Sequence, residues 1–311
     1  MNTRMKFPNS YRGRFAPSPT GPLHFGSMVA AVGSFLQAKS RGGEWLVRME
    51  DIDPPRVVPG AADDILRTLE TFGLYWDGTV MYQSRRHGVY EAAMNMLERL
   101  DAIYPCACSR REIADSSVSG VDGPVYPGTC RGGLTEGRAP RAWRVRVSGR
   151  AIEFVDAVQG RMVRDLAADF GDFVVRRADG FFAYQLAVVV DDAEQGISEV
   201  VRGADLIEST PRQMHLQNLL GLPTPDYLHL PVALSKQREK MSKQTLATAA
   251  DIARPVPMLY QVLRFLGQDP PPMLADSNLD DFWRWAVAHW NVGRVPRVTG
   301  VVVETPSGGS V

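Results

Sequence analysis

Only three cysteines occur in 311 residues, all between positions 106 and 130, so no disulfide framework braces this chain and its thiols are expected to be reduced. A glycine-rich phosphate loop ending in Lys-Ser or Lys-Thr is missing, which removes the commonest sequence route to ATP. Long apolar runs are missing too. The longest, Phe181 to Val190, is too short to span a bilayer, and no charged leader with an apolar core opens the sequence. Nor is one sign of charge in excess: 35 basic and 35 acidic residues cancel, so any nucleic acid must be held by local patches such as Arg85-Arg86, Arg110-Arg111, the arginines of 138–146, or Arg176-Arg177. The ordinary reading of each pair is a solvated surface. Repeats are absent. With 44% hydrophobic and 23% charged residues the composition is that of a globular chain able to fold alone, expected to be a cytoplasmic monomer without a membrane partner.

What is present is an α/β alternation. Strands are predicted at Tyr11 to Ala16 and Trp45 to Met49, and helices at Ser27 to Lys39, Gly60 to Phe72 and Arg86 to Leu100, an order that suggests a doubly wound, mostly parallel sheet. Its ligand crevice should lie at the carboxyl ends of the strands, where Ala16 to Ser18 and Glu50 to Asp53 emerge. From Cys106 to about Pro140 the pattern gives way to Gly, Ser, Pro and Thr. Short strands follow at Trp143 to Val147, Ile152 to Val155, Arg161 to Leu166 and Phe173 to Val175, as in an inserted subdomain. The run Phe181 to Val190 returns to a buried element, followed by a strand at Ser198 to Val201 and a helix at Pro211 to Leu220. Two more helices, Pro257 to Leu266 and Leu279 to Trp290, precede a Gly/Ser-rich end.

Two separated motifs carry the chemistry. Arg14-Phe15-Ala16-Pro17-Ser18-Pro19-Thr20-Gly21-Pro22-Leu23-His24-Phe25-Gly26-Ser27 reads as a strand, a proline-punctuated turn and a helix start, where unpaired backbone N–H groups await a phosphate. Lys240-Met241-Ser242-Lys243-Gln244 sets two lysines on a polar stretch suited to a loop closing over a polyphosphate. His24 is placed to donate to a phosphoryl oxygen, and Gly26 allows close approach to the backbone. Arg14, Glu50 and Arg202 are charges at the ends of predicted buried strands. They match an acidic amino acid, or else an internal salt bridge such as Glu50 with Arg14. Tyr184 is core by default, with a hydroxyl needing a partner. Cys106, Cys108 and Cys130 offer three thiolates toward a tetrahedral metal, with Tyr126, Asp115, Asp122 or water as the fourth ligand.

Together with Arg48-Met49-Glu50-Asp51-Ile52-Asp53 and Val201-Arg202-Gly203-Ala204-Asp205-Leu206, these motifs resemble the class I aminoacyl-tRNA synthetases, and within them the glutamyl-tRNA synthetase catalytic core, over about residues 11 to 250. The chain stops near where an anticodon-binding region would begin to be useful. Segment 50–56, Gln244 and the Cys-x-Cys, Tyr and Cys pattern look instead like the truncated glutamyl-queuosine tRNA(Asp) synthetase branch. That resemblance implies a discontinuous Rossmann-like catalytic domain at 11–104 and 181–250, an inserted zinc-containing α+β subdomain at 105–180, and a short C-terminal helical region at 251–311 without an anticodon-binding domain. It implies ATP-dependent activation of L-glutamate to glutamyl-adenylate, and transfer of glutamate to the queuosine of the tRNA(Asp) anticodon loop. It further implies catalytic roles for His24, Lys240 and Lys243, and ATP contacts from His24, Gly26 and Lys243 with Mg²⁺. Glutamate contacts would come from Arg14, Phe15, Ala16, Pro17, Ser18, Glu50, Tyr184 and Arg202, and one structural Zn²⁺ would sit on Cys106, Cys108, Tyr126 and Cys130. Two rivals stand beside this reading: a short glutamyl-tRNA synthetase charging the tRNA 3′ end, and a non-catalytic module that binds tRNA or glutamate.

Overall fold

The computed structural model describes residues 10–235, 237, 250 and 252–303. It begins with β1 (Arg12–Phe15), α1 (Phe25–Lys39), β2 (Glu44–Met49), α2 (Ala61–Thr71), β3 (Met81–Tyr82) and α3 (His87–Arg99). Then come β4 (Ile103–Cys106), α4 (Arg110–Ser116), β5 (Val118–Gly120), β6 (Gly123–Val125), β7 (Ala142–Val145), β8 (Ala151–Asp156), β9 (Gly160–Asp165), the single turn α5 (Leu166–Asp169) and β10 (Phe173–Arg176). The chain returns through α6 (Tyr184–Glu194), β11 (Glu199–Gly203), α7 (Thr210–Leu220), β12 (Asp226–Leu230) and β13 (Val232–Leu234). Its described part closes with α8 (Pro255–Phe265), α9 (Leu279–His289) and β14 (Gly300–Val302).

Pairing is parallel between β1 and β2, β2 and β3, and β11 and β12. The Ser198 N–H donates to Arg12 O at 2.9 Å, and the Arg12 N–H to Ser198 Oγ at 2.9 Å, bringing β11 beside β1. The parallel run therefore reads β3, β2, β1, β11, β12, with the strand order reversing between β1 and β11. In open α/β sheets that reversal opens a crevice at the carboxyl ends of the strands. The hairpin of β8 and β9, expected in the inserted subdomain, is joined to the outer edge of β12 through the pairing of Tyr227 with Asp156. A separate antiparallel sheet, β10-β7-β4, shares a second core with α3, α6 and α7.

The period of two along β2 decides what each face of the sheet does. Trp45, Val47 and Met49 join Phe15 in the main apolar core, beneath α1 and the C-terminal helices. Leu46 faces the other way, against Ile197, Val200, Tyr227 and Met214, and Arg48 of that same face reaches α6. Helix α1 is buried almost all round, which is why its sequence is apolar or small nearly throughout. Gly33 within it faces Leu230: a Cβ there would come within 2.4 Å of Leu230 Cδ1, so a larger residue would require the Leu230 side chain to shift where α1 packs on β12. Helix α7 carries Pro211 in its first turn and ends at Gly221, whose φ of 66° is the left-handed stop. No helix among the described residues is long and apolar enough to cross a membrane.

Candidate active site

A cleft of about 420 Å³ lies at the reversal point, a volume typical of small-molecule sites. Every residue expected to contact glutamate or ATP that the structure describes lines it: Arg14, Phe15, Ala16, Pro17 and Ser18 leaving β1, His24 and Gly26 at the start of α1, Glu50 after β2, Tyr184 at the start of α6, and Arg202 on β11. Lys240 and Lys243 lie outside the described residues. The Glu50 N–H donates to Pro17 O at 2.9 Å, which ties the ends of the first two strands together. His24 is the N-cap of α1, where Ser27 Oγ accepts from its backbone N–H and donates to its carbonyl, both at 2.7 Å. The first-turn N–H groups beyond it have no intrahelical acceptor, so this end of α1 carries a partial positive charge toward the cleft.

The charges do not pair as the sequence suggested. Arg14 does not meet Glu50; its Nε and Nη2 donate to Asp192 Oδ1 and Oδ2 at 3.0 and 3.3 Å, and both side chains are buried. Arg48 donates through Nη1 to the same Asp192 and to Gln195 Oε1, each at 2.7 Å, and lies 3.4 Å from Glu50 through Nη2. Burial opposes the charge on Asp192, yet the two guanidinium groups hold its carboxyl below the usual carboxylate range. For Glu50 burial dominates, and its carboxyl is pushed up despite Arg48 and Arg14. Asp191 accepts from Gln83, Arg86 and Tyr90 at 2.7–2.8 Å. Arg48, Asp191 and Asp192 were missed by sequence reasoning. The available signal was a pair of acids at the end of an apolar run, since carboxylates that deep require partners.

Arg202 is held differently. Its Nε donates to His229 Nε2 at 3.0 Å, Nη1 to the Tyr184 hydroxyl at 3.2 Å, and Nη2 to Thr210 Oγ1 at 2.9 Å and Leu206 O at 3.3 Å. All of these partners are neutral, and among the described residues no carboxylate makes an ion pair with this buried guanidinium. His229 in turn contacts Asp156 Oδ2 through Nδ1 at 2.6 Å. Donation to the aspartate from Nδ1 and acceptance from Arg202 at Nε2 require the neutral ring with its proton on Nδ1. Burial is the main reason its pKa falls to about 4, with Asp156 opposing and Arg202 assisting. Between about pH 6.5 and 4 the unfolded chain therefore binds a proton that the folded chain refuses, and stability falls as the pH is lowered through that window. The expected loss is about 3 kcal/mol from this one group. Urea titrations across that range should show it in the native chain, and the His229→Gln variant should lose that part of the pH slope.

A second constellation sits on the excursion between β4 and β7. The sulfurs of Cys106, Cys108 and Cys130 lie within 4.8 Å of one another, with Cys108 and Cys130 3.6 Å apart. The Tyr126 hydroxyl is 3.4 Å from Cys106 Sγ and 3.7 Å from Cys108 Sγ. Tetrahedral zinc with thiolates at about 2.3 Å and an oxygen near 2.0 Å separates its ligands by about 3.5–3.8 Å, and the Cys108–Cys130, Tyr126–Cys106 and Tyr126–Cys108 spacings are close to that. Asp115 and Asp122, the competing fourth ligands, are turned to Arg111 and Arg212 instead. Arg144 donates to Cys106 Sγ at 3.3 Å and stacks 3.9 Å from the Tyr126 ring centre, bringing positive charge beside the thiols.

The family described as tRNA synthetases class I (E and Q), catalytic domain, matches residues 10–257. The glutamyl-Q tRNA(Asp) synthetase of Dechloromonas aromatica is 60% identical over 289 residues, covering 92% of this chain and 96% of that protein. The protein of that name from Neisseria meningitidis serogroup C, serotype 2a, is 53% identical over 292 residues, covering 92% and 98%. Among solved structures, a glutamate tRNA ligase from Elizabethkingia meningosepticum in complex with its amino acid superposes with a TM-score of 0.78 at 23% identity, over 94% of this chain and 67% of that one. The glutamate-tRNA synthetase of Elizabethkingia anophelis gives 0.79 at 23%, over 95% and 68%; at such identity these two establish the fold. The chain belongs to the glutamyl-Q tRNA(Asp) synthetase family and is a ligase of the class I aminoacyl-tRNA synthetase type.

Proposed function

We propose that this chain activates L-glutamate with ATP and transfers the glutamyl group to queuosine in the anticodon loop of tRNA(Asp). The observation that carries the glutamate part is Arg202: a buried guanidinium that lines the cleft and has only neutral partners among the described residues is costly unless an anionic ligand completes it. A side-chain carboxylate does so, while the α-carboxylate is left to react. In the first step its oxygen bonds to the α-phosphorus of ATP as the bond to pyrophosphate breaks, the electron pair leaving with pyrophosphate. Negative charge builds on the phosphoryl oxygens, which favours a position at the start of α1 near His24 and Gly26. The family resemblance adds Lys240 and Lys243 at the polyphosphate, and Mg²⁺ bound with ATP supplies further charge neutralisation there. In the second step a hydroxyl of the acceptor attacks the adenylate carbonyl, AMP departs, and the hydroxyl proton passes to the departing phosphate. The acceptor is read from the name shared by relatives that match this chain nearly end to end.

Radiolabelled glutamate supplied with ATP should enter tRNA(Asp) that carries queuosine and not tRNA(Asp) that lacks it. After RNase digestion the label should lie in the fragment containing the anticodon; label in the 3′-terminal fragment would establish the rival acceptor, and no pyrophosphate exchange with glutamate would establish a binding module. Replacing Arg202 by Ala should raise the KM for glutamate at least about tenfold, and that for ATP far less, because a buried charge pair to the ligand is lost. Steady-state exchange kinetics separate the two.

We infer also that Cys106, Cys108, Tyr126 and Cys130 hold one zinc ion, which when bound gives a poorly hydrophobic segment its order. Metal analysis of the purified protein should find about one zinc per chain. Cys108→Ser should lower that content and the thermal midpoint together, and full zinc retention in the variant would refute the ligand set.

A further inference from the structure

A second cavity, of about 280 Å³, is lined by residues next in sequence to those of the active cleft and has no part in the chemistry above. Glu50 and Arg56 line the cleft while Asp51, Ile52 and Pro54 line this cavity; Phe181 and Phe182 line it while Tyr184, two residues on, faces the cleft. Tyr90 and His87 complete an aromatic surround, the His87 ring lying edge-on to Phe182 at 5.0 Å. The polar part of the lining is acceptor-rich. Gln83 is 1% exposed, and its Nε2 is committed to Asp191 at 2.7 Å, which leaves its Oε1 buried without a hydrogen-bond partner. A buried acceptor left unmet is costly, so this oxygen points to a ligand bearing an N–H donor. Asp51 accepts from Ser84, and Asp179 from Arg177, each carboxylate keeping lone pairs to spare.

A flat ligand with donor N–H groups and a positive charge suits such a cavity, whereas a polyphosphate would be repelled by its two carboxylates. We propose that it receives the heterocyclic base of the acceptor nucleoside, a purine-type ring carrying a cationic amine arm. The rings of Phe181 and His87 offer stacking surface, and Gln83 Oε1, Asp51 and Asp179 accept from the base and its ammonium. The arm then crosses the wall formed by residues 50–56 and presents its hydroxyl to the adenylate. This inference rests on the queuosine reading given above.

The test uses the full chain and two variants at partly exposed positions, Phe181→Ala and Asp179→Asn, with the free base queuine as competitor. Stacking on one ring justifies an expected fall of about tenfold or more in kcat/KM for transfer to queuosine-bearing tRNA(Asp) in Phe181→Ala, and a smaller fall in Asp179→Asn. Pyrophosphate exchange should stay within about twofold of the native rate in both. Queuine should compete with tRNA in transfer and not with ATP in exchange. Native transfer rates in both variants, exchange lost in parallel with transfer, or competition with ATP would each overturn the proposal while leaving the acceptor reading intact. Label in the 3′-terminal fragment of the native reaction would overturn both.

Discussion

Two adjacent carboxylates near the end of α6 hold the active face in register. Asp192 takes Arg14 from β1 and Arg48 from β2, and Asp191 takes Gln83, Arg86 at the N-cap of α3 and Tyr90 within that helix. Three separate stretches of chain therefore converge on two neighbouring residues of one helix. Ion pairs this deep return little net stability compared with a well-packed apolar core, but removing one member strands the other as an unpaired buried charge. Their visible effect is positional. Because Arg14 and Arg48 leave the sheet on the face opposite Phe15 and Trp45, anchoring them fixes where β1 and β2 end, and so where Ser18 and Glu50 enter the cleft.

The same chemistry separates two arginines that look alike in sequence. Arg14 lines the cleft and shares the Asp192 carboxylate with Arg48. Arg202 is surrounded by a neutral imidazole, two hydroxyls and a carbonyl, so its charge remains to be answered from within the cleft. Keeping His229 neutral matters here, since a protonated ring would point a donor at a donor. Asp156 keeps the ring in the useful tautomer, while burial keeps its pKa too low to protonate near neutrality.

Most of the regular elements were legible because their periodicity is local: the helices at 25–39, 61–71, 87–99, 210–220, 255–265 and 279–289 lie within about two residues of their expected bounds. Strands β12 and β13 were not legible, since Pro231 and the polar His229 interrupt an apolar stretch whose burial depends on distant neighbours. The two-residue β3 is too short to carry a pattern. At the site, motif residues were readable and their partners were not. Arg14 and Glu50 announced buried charge, but which ion answers each is a tertiary fact decided by α6, whose two acids looked like the boundary of an apolar run. Asp156 and His229 gave no local signal, being ordinary residues until β8 meets β12.

That meeting explains why the long excursion from β4 to β10 belongs to the site. The carboxylate of Asp156 at the end of β8 takes the N–H groups of Val158 and Gln159, and from β12 both the backbone and the ring of His229. On β9, Arg164 pairs with Glu208 at 2.6 Å, two residues before Thr210, another partner of Arg202. From the thiol-bearing part, Asp122 pairs with Arg212 in the first turn of α7. Two of the three side chains that hold Arg202 from outside its own strand, His229 and Thr210, are thus braced by residues of the excursion, the third being Tyr184. The direction of this cleft-lining guanidinium follows from how that segment packs against β12 and α7. A sheet of parallel strands alone would supply the cleft without aiming the charge inside it.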